Sequence, residues 1–179
     1  MKEILLGGLG GQGVLTAGTM IAEMAIYKGY KATWSPEYGS AMRGGTASCV
    51  VKFGEGRIYS PEKEEPDILL AMNDETLTKF AAMVKPGGVV IINSDMVTLP
   101  EDFRTDVKVI AVPCLNLAEQ IQHPKGANIV MSGVIIKETG DFTLQEAIDG
   151  MNETFRRKGK EKFEALNTKA MQAGYLFGK

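Results

Sequence analysis

Cysteine is scarce in this sequence, with Cys49 and Cys114 the two instances in 179 residues. Two thiols cannot by themselves supply a four-ligand zinc or iron–sulfur site. Both adjoin apolar, strand-like runs and read as buried free thiols, which suits a reducing cytoplasm. Histidine is rarer still: His123 stands alone, ahead of Pro124. No Ser, Cys or Asp at a telling spacing makes it a catalytic base, so it reads as a surface-loop residue. An excess of one charge is missing too. Lys and Arg number 20 against 22 Asp and Glu, a formal net charge of -2, which removes any bulk electrostatic case for nucleic acid or an anionic membrane. No apolar run reaches membrane-spanning length. The N-terminus enters a strand directly, without the basic head and cleavage site of a secretory signal. Repeats, low-complexity segments, paired carboxylates, a Ser–His–Asp arrangement and a metal-ligand cluster are all lacking. The expectation is one cytoplasmic domain over residues 1–179, with a full hydrophobic core, no catalytic residue of its own and no metal site.

Glycine, by contrast, is abundant, with 21 residues gathered mostly in specific turns. The chain is organised around Lys2 to Ala17, KEILLGGLGGQGVLTA. Ile4, Leu5 and Leu6 make a short buried strand. Gly7, Gly8, Gly10, Gly11 and Gly13 follow, and Val14, Leu15, Ala17, Met20, Ile21, Met24 and Ala25 then recur near helical spacing. Strand, glycine turn, helix is the order a phosphate-binding turn requires, and Gly8, Gly10 and Gly13 fit G-x-G-x-x-G. Glycine permits the tight turn and a close backbone approach to an anion. The helix start offers free N–H groups and the positive end of its dipole. Gln12 adds a neutral amide for a ligand or for neighbouring backbone. The competing reading is structural: the glycines let the helix pack tightly on a sheet. A nicotinamide site would also place an Asp or Glu at the end of the second strand to hold the ribose. That position reads Thr33, Trp34, Ser35, Pro36, with Glu37 beyond the proline, which argues against a stand-alone NAD-dependent dehydrogenase.

Gly29 ends the first helix, and Tyr30 to Ser35 forms a second strand. The loop from Pro36 to Gly45 can present Arg43 to a carboxylate or phosphate, or pair it with Glu37. Thr46 to Phe53 is a strand, Gly54 to Gly56 a turn and Arg57 to Tyr59 a return, together a β-hairpin. Ser60 to Pro66 is a solvated acidic loop. Asp67–Met72, Val89–Ile92 and Val107–Val112 are buried strands alternating with helices at Thr76–Val84, capped by Asn73, Asp74 and Glu75, and at Leu115–Gln122. That alternation predicts a mostly parallel sheet covered on both faces. Ligands of such sheets bind beyond the carboxyl ends of the strands, so the glycine turn, the Pro36–Gly45 loop, Asn73 and Asn93 are candidates for one rim, although each Asn taken singly reads first as a plain turn or cap. Ile129 to Lys137 suits a buried helix packed closely on a neighbour, or an interface; Thr143 and Glu146 make a capping box, and a final helix runs from about Gly159 to Ala173 and stops at Gly174.

GGLGGQGVLTAG, SPEYGSAMRGGTASCVV, IYSP, PDILLAMN, KPGGVVIIN, ANIVMSGVIIKETG and ALNTKAMQAG follow one another through nearly the whole chain. In that order they resemble the gamma subunit of 2-oxoacid:ferredoxin oxidoreductases. RGGTAS and AMN resemble the 2-oxoglutarate and branched-chain (ketoisovalerate) types. The resemblance implies a three-layer, Rossmann-like α/β fold with a mostly parallel sheet, the β-hairpin insertion and C-terminal helices. It implies a subunit of a complex that oxidatively decarboxylates a 2-oxoacid to acyl-CoA and passes electrons to ferredoxin. Thiamine diphosphate, Mg and iron–sulfur clusters would sit on other subunits, with no cofactor held tightly here. Alpha and beta subunits would be the partners, with a delta, ferredoxin-like subunit as a further candidate. Relatives keep this glycine loop near the coenzyme A site, which carries that role to Gly10, Gly11, Gln12 and Gly13, and by extension to Arg43, Gly44 and Gly45. Indolepyruvate-type oxidoreductases share the glycine and RGG motifs and are the alternative assignment. The isolated chain is expected to be inactive and, with its partner-facing apolar surfaces bare, to associate with itself, a homodimer being one form.

Overall fold

The computed structural model describes residues 1–38 and 45–178. Lys2–Leu9 form strand β1, buried along its centre because both of its edges are paired. Gly13, in the left-handed region at φ 75°, turns the chain into helix α1 (Val14–Tyr27). Strands β2 (Lys31–Tyr38), β3 (Thr46–Gly54), β4 (Ile68–Ala71), β5 (Val89–Asn93) and β6 (Lys108–Val112) complete a sheet of order β2-β3-β1-β4-β5-β6. Helix α2 (Asp74–Phe80) links β4 to β5, and α3 (Cys114–Gln120), α4 (Ala127–Thr139), α5 (Leu144–Arg157) and α6 (Glu164–Tyr175) follow the last strand.

β1, β4, β5 and β6 are parallel, in the registers Ile4↔Ile68, Ile68↔Val89 and Val89↔Lys108. β3 runs against both neighbours, from Lys2↔Phe53 to Leu9↔Thr46 on one side and from Lys31↔Gly54 to Tyr38↔Ala47 on the other. The antiparallel element expected from the sequence is therefore present, but its second arm is not Arg57–Tyr59, which forms no strand. The reason is topological. Both edges of β3 are taken by β1 and β2, so no donors or acceptors remain for a returning segment.

Alternate residues of each strand face opposite layers. Ile4, Leu6, Cys49, Val51, Phe53, Ile68 and Leu70 join the larger core with α1 and α3 to α6. Leu5, Val50, Leu69, Ala71, Val90 and Ile92 meet Leu77 and Phe80 of α2 on the other face. Three layers result, unequal in thickness. Near one edge, buried Lys52 is neutralised by Glu3 and Glu64, each at 3.3 Å. Glu3 also accepts the Glu64 N–H at 2.7 Å, so the acidic loop is held against the sheet.

Helix α4 is buried almost all round, as its composition predicts. The capping box of α5 is complete, with Thr143 and Glu146 satisfying each other's backbone N–H. Gly174 does not stop the last helix: α6 continues through it to Tyr175. It is a contact residue instead. A Cβ there would overlap the Val130 carbonyl oxygen and come within 3.1 Å of the Gly133 Cα. The two glycines let α4 and α6 meet backbone to backbone.

Candidate functional site

The parallel strands bring Leu9, Met72, Asn93 and Val112 to one rim, and the three helices that directly follow β1, β4 and β6 start there. Two are closed by side chains. Asn73 Oδ1 accepts the Thr76 N–H at 3.1 Å and caps α2. Asp95 Oδ2 accepts the Leu115 N–H at 2.7 Å in the first turn of α3. Helix α1 begins at Gly13 with no side-chain cap and no acid in its first turn. Its free N–H groups and positive dipole end are thus left for an anion from outside.

The turn before α1 is held by its own residues. Gln12 Oε1 accepts the Leu9 N–H at 2.7 Å, and Gln12 Nε2 donates to the Met72 carbonyl at 3.2 Å. The amide expected to reach a ligand or neighbouring backbone is engaged with backbone, bracing the turn against the end of β4. Gly8 passes so close to that strand that a Cβ would lie 2.8 Å from Met72 Cβ. Gly11 has φ 102°, and a Cβ there would meet nothing within 4 Å. It borders open space. A Cβ on Gly13 would lie 2.6 Å from Asn128 Nδ2, which donates to the Gly13 carbonyl at 3.2 Å. Gly10 donates its N–H to the Gly45 carbonyl at 2.9 Å, joining the glycine turn to the end of the second loop. Arg43 and Gly44 lie outside the described residues.

A cleft of about 590 Å³ opens over this turn. Gly10 to Gly13 form one wall, and Met72, Met96 and Leu115 make another that is apolar. Pro124, Lys125, Ala127 and Asn128, at the start of α4, close the third side. A smaller hollow of about 330 Å³ runs from the glycines along Val14, Leu15 and Thr16. Polar N–H groups beside a thioether-lined wall suit an extended ligand with an anionic part and an uncharged arm. Lys125 is exposed and makes no ion pair among the described residues. The sequence offers little sign of it, since a single Lys after His-Pro looks like any loop residue. Its place is set by the chain's return 112 residues after Gly13.

Other expected rim residues serve the scaffold. Asn93 is wholly buried, with Oδ1 on the Asp95 N–H at 3.1 Å, and Asn73 is the α2 cap. His123 is not on the surface. It is 9% exposed, with Nε2 2.9 Å from Asn167 Oδ1 on α6. The packing of α6 against this loop, which no local pattern announces, buries it. Burial pushes the Cys49 and Cys114 thiols up to about 12, with Asp95 adding to the effect at Cys114. Neither is a nucleophile near neutral pH. Among the described residues no group of three or more His, Cys, Asp or Glu could hold a metal ion, and no helix is long and apolar enough to cross a membrane.

Comparison with known proteins agrees with this architecture. The ketoisovalerate oxidoreductase subunit VorA of Methanothermobacter marburgensis is 36% identical over 174 residues, covering 96% of this chain and 35% of that protein. The chain thus spans about a third of that relative's length. The 2-oxoglutarate synthase subunit KorC of Methanocaldococcus jannaschii is 31% identical over 180 residues, covering 99% of this chain and 94% of the other. The crystal structure of a keto/oxoacid ferredoxin oxidoreductase gamma subunit from Geobacter sulfurreducens superimposes with a TM-score of 0.81 at 32% identity, covering 98% and 96% of the two chains. The pattern of the pyruvate ferredoxin/flavodoxin oxidoreductase family matches residues 3–177. With the uncapped glycine turn, the mixed sheet and nearly every residue accounted for by that pattern, the chain belongs to the pyruvate ferredoxin/flavodoxin oxidoreductase family.

Proposed function

We propose that this chain is the gamma-type subunit of a 2-oxoacid:ferredoxin oxidoreductase, acting on a branched-chain 2-oxoacid or 2-oxoglutarate, and that it contributes one wall of the coenzyme A site. The observation that carries the reading is the open N-terminus of α1 on a cleft with one apolar wall. Coenzyme A joins a pyrophosphate to a long uncharged pantetheine arm. Backbone N–H groups at Gly11, Gly13 and the first turn of α1 receive the pyrophosphate, and Met72, Met96 and Leu115 flank the arm. Gly10, Gly45 and Gln12 hold the turn. Thiamine diphosphate, Mg and the iron–sulfur clusters belong to partner alpha, beta and ferredoxin-like subunits in the cytoplasm. The chain's own part is to bind, orient and enclose.

The test is reconstitution. Alpha and beta partners co-expressed with this chain should reduce ferredoxin in the presence of a 2-oxoacid and coenzyme A. Omitting this chain should abolish acyl-CoA formation. An alpha–beta assembly that turns over normally without it overturns the proposal.

A further inference from the structure

β5 and β6 are adjacent and parallel, so the chain must cross over from the end of one to the start of the other. Such a crossover is usually a helix packed on the sheet. Here residues 94–107 make it without helix or strand. A connection of that length with no regular structure commonly carries a function. Val97, Phe103 and Val107 cover the sheet where a helix would lie. Among the described residues, α2 and the short turn after it (Ala81–Met83) supply all the helical side chains of this thinner layer. Parallel strands need cover on both faces, and on this one the cover is half built.

A groove of about 330 Å³ runs between α2 and the crossover. Leu77, Ala81 and Phe103 form its floor, and Asp74, Thr78 and Asp102 stand on its rim. It is held open at both ends. Asp74 Oδ1 accepts the Thr98 N–H at 3.0 Å, and Arg104 Nη1 donates to the Ala81 and Val84 carbonyls at 2.8 Å each. Arg104 is also committed to Asp106, through Nε at 2.7 Å and Nη2 at 2.6 Å, so it does not neutralise the rim. Asp74, Glu75, Glu101 and Asp102 are all exposed and make no ion pair among the described residues. Lys79 of α2 lines a separate hollow with Glu37. Leu99 and Pro100 are exposed beside the groove. The space is therefore an apolar slot with a negative border.

We propose that a helix from the alpha or beta subunit docks in this groove, apolar side inward and Lys or Arg residues toward Asp74 and Asp102, in the place of the missing crossover helix. An apolar floor takes the anchors of an amphipathic helix, and unpaired carboxylates take the flanking cations. The inference rests on the reading of this chain as a subunit of a larger oxidoreductase and names the surface by which it is held.

Amide hydrogen exchange is measured on the chain alone and in the complex co-expressed with alpha and beta subunits. Residues 78–83 and 98–104 should exchange about tenfold more slowly in the complex. Asp102→Lys and Thr78→Arg, both at exposed positions, should keep the isolated chain's Tm and weaken its association about tenfold at low ionic strength, the Asp102→Lys effect shrinking as salt is added. Glu161→Lys, the same reversal in the turn before α6, should leave association unchanged. A complex that forms while both segments exchange as in the free chain refutes the groove and leaves the proposed function standing. Equal weakening by Asp102→Lys and Glu161→Lys refutes it too, since bulk charge would then be the cause. Protection that grows with concentration in the chain alone makes a second copy the occupant and overturns the proposal. Failure of any complex to form refutes both readings.

Discussion

Gly11 and Gly29 offer a matched pair for testing the glycine turn. Gly11 has φ 102° and Gly29 has φ 96°, and a Cβ on either would meet nothing within 4 Å. Alanine at each should therefore cost the same kind of backbone strain, about 1–2 kcal/mol for an L-residue in the left-handed region. No steric clash adds to it at either position. For a chain of this size that loss lowers Tm by roughly 2–8 °C, taking 2–4 °C for each kcal/mol. The residues differ in what lies around them. Gly11 borders the cleft, whereas Gly29 follows the far end of α1. Gly11→Ala should raise the KM for coenzyme A in the assembled enzyme about tenfold or more, as expected for losing a hydrogen bond to a charged group. Gly29→Ala should leave it unchanged. The assay is thermal unfolding of both variants, followed by acyl-CoA formation over a range of coenzyme A concentrations. Equal KM values in both variants at equal Tm loss would show that the turn is a packing device, and the binding argument would fail.

Gly174→Ala should destabilise the fold despite alanine's better helix propensity. Overpacking against the Val130 carbonyl and the Gly133 Cα offsets a gain of about 1 kcal/mol, so Tm should drop; a rise in calorimetry would contradict backbone contact between α4 and α6. Cys49 and Cys114, with thiols near 12, should resist alkylation at pH 8 and both react once the chain is unfolded in guanidinium; fast native labelling would show that neither is buried as described. Glu146 is held down to about 2 by Lys28 and by the N–H and hydroxyl of Thr143. Its contribution is complete above the ordinary carboxylate range and fades as pH falls from about 4.5 toward 2. Glu146→Gln should flatten that acid limb of the stability curve, and a limb of unchanged steepness in acid titration would argue against it.

Much of the fold was legible because it rests on short-range pattern. The run Ile4 to Leu6 followed by glycines and a helical stripe determines β1, the turn and α1 wherever they are placed. Asn73 ahead of Asp74 and Glu75, and Thr143 three residues before Glu146, mark helix starts through hydrogen bonds that close within one turn. The family, too, follows from motifs in linear order. Only the tertiary structure decided what depends on residues far apart in the chain. β3 lies between β1 and β2, leaving Arg57–Tyr59 without an edge to pair with. Gln12 turns inward because Met72, 60 residues on, supplies an acceptor at the right height. His123 is buried by Asn167 on a helix 44 residues later, and Gly174 continues its helix because Gly133 faces it across a packed interface. The glycine turn was visible as a turn. That α1 alone, of the three helices rising from the strand ends of the rim, is uncapped depends on Asp95 reaching α3 twenty residues away. Local sequence sets backbone conformation and helix ends; which polar groups stay unpaired, and hence where a ligand can sit, is settled by long-range packing.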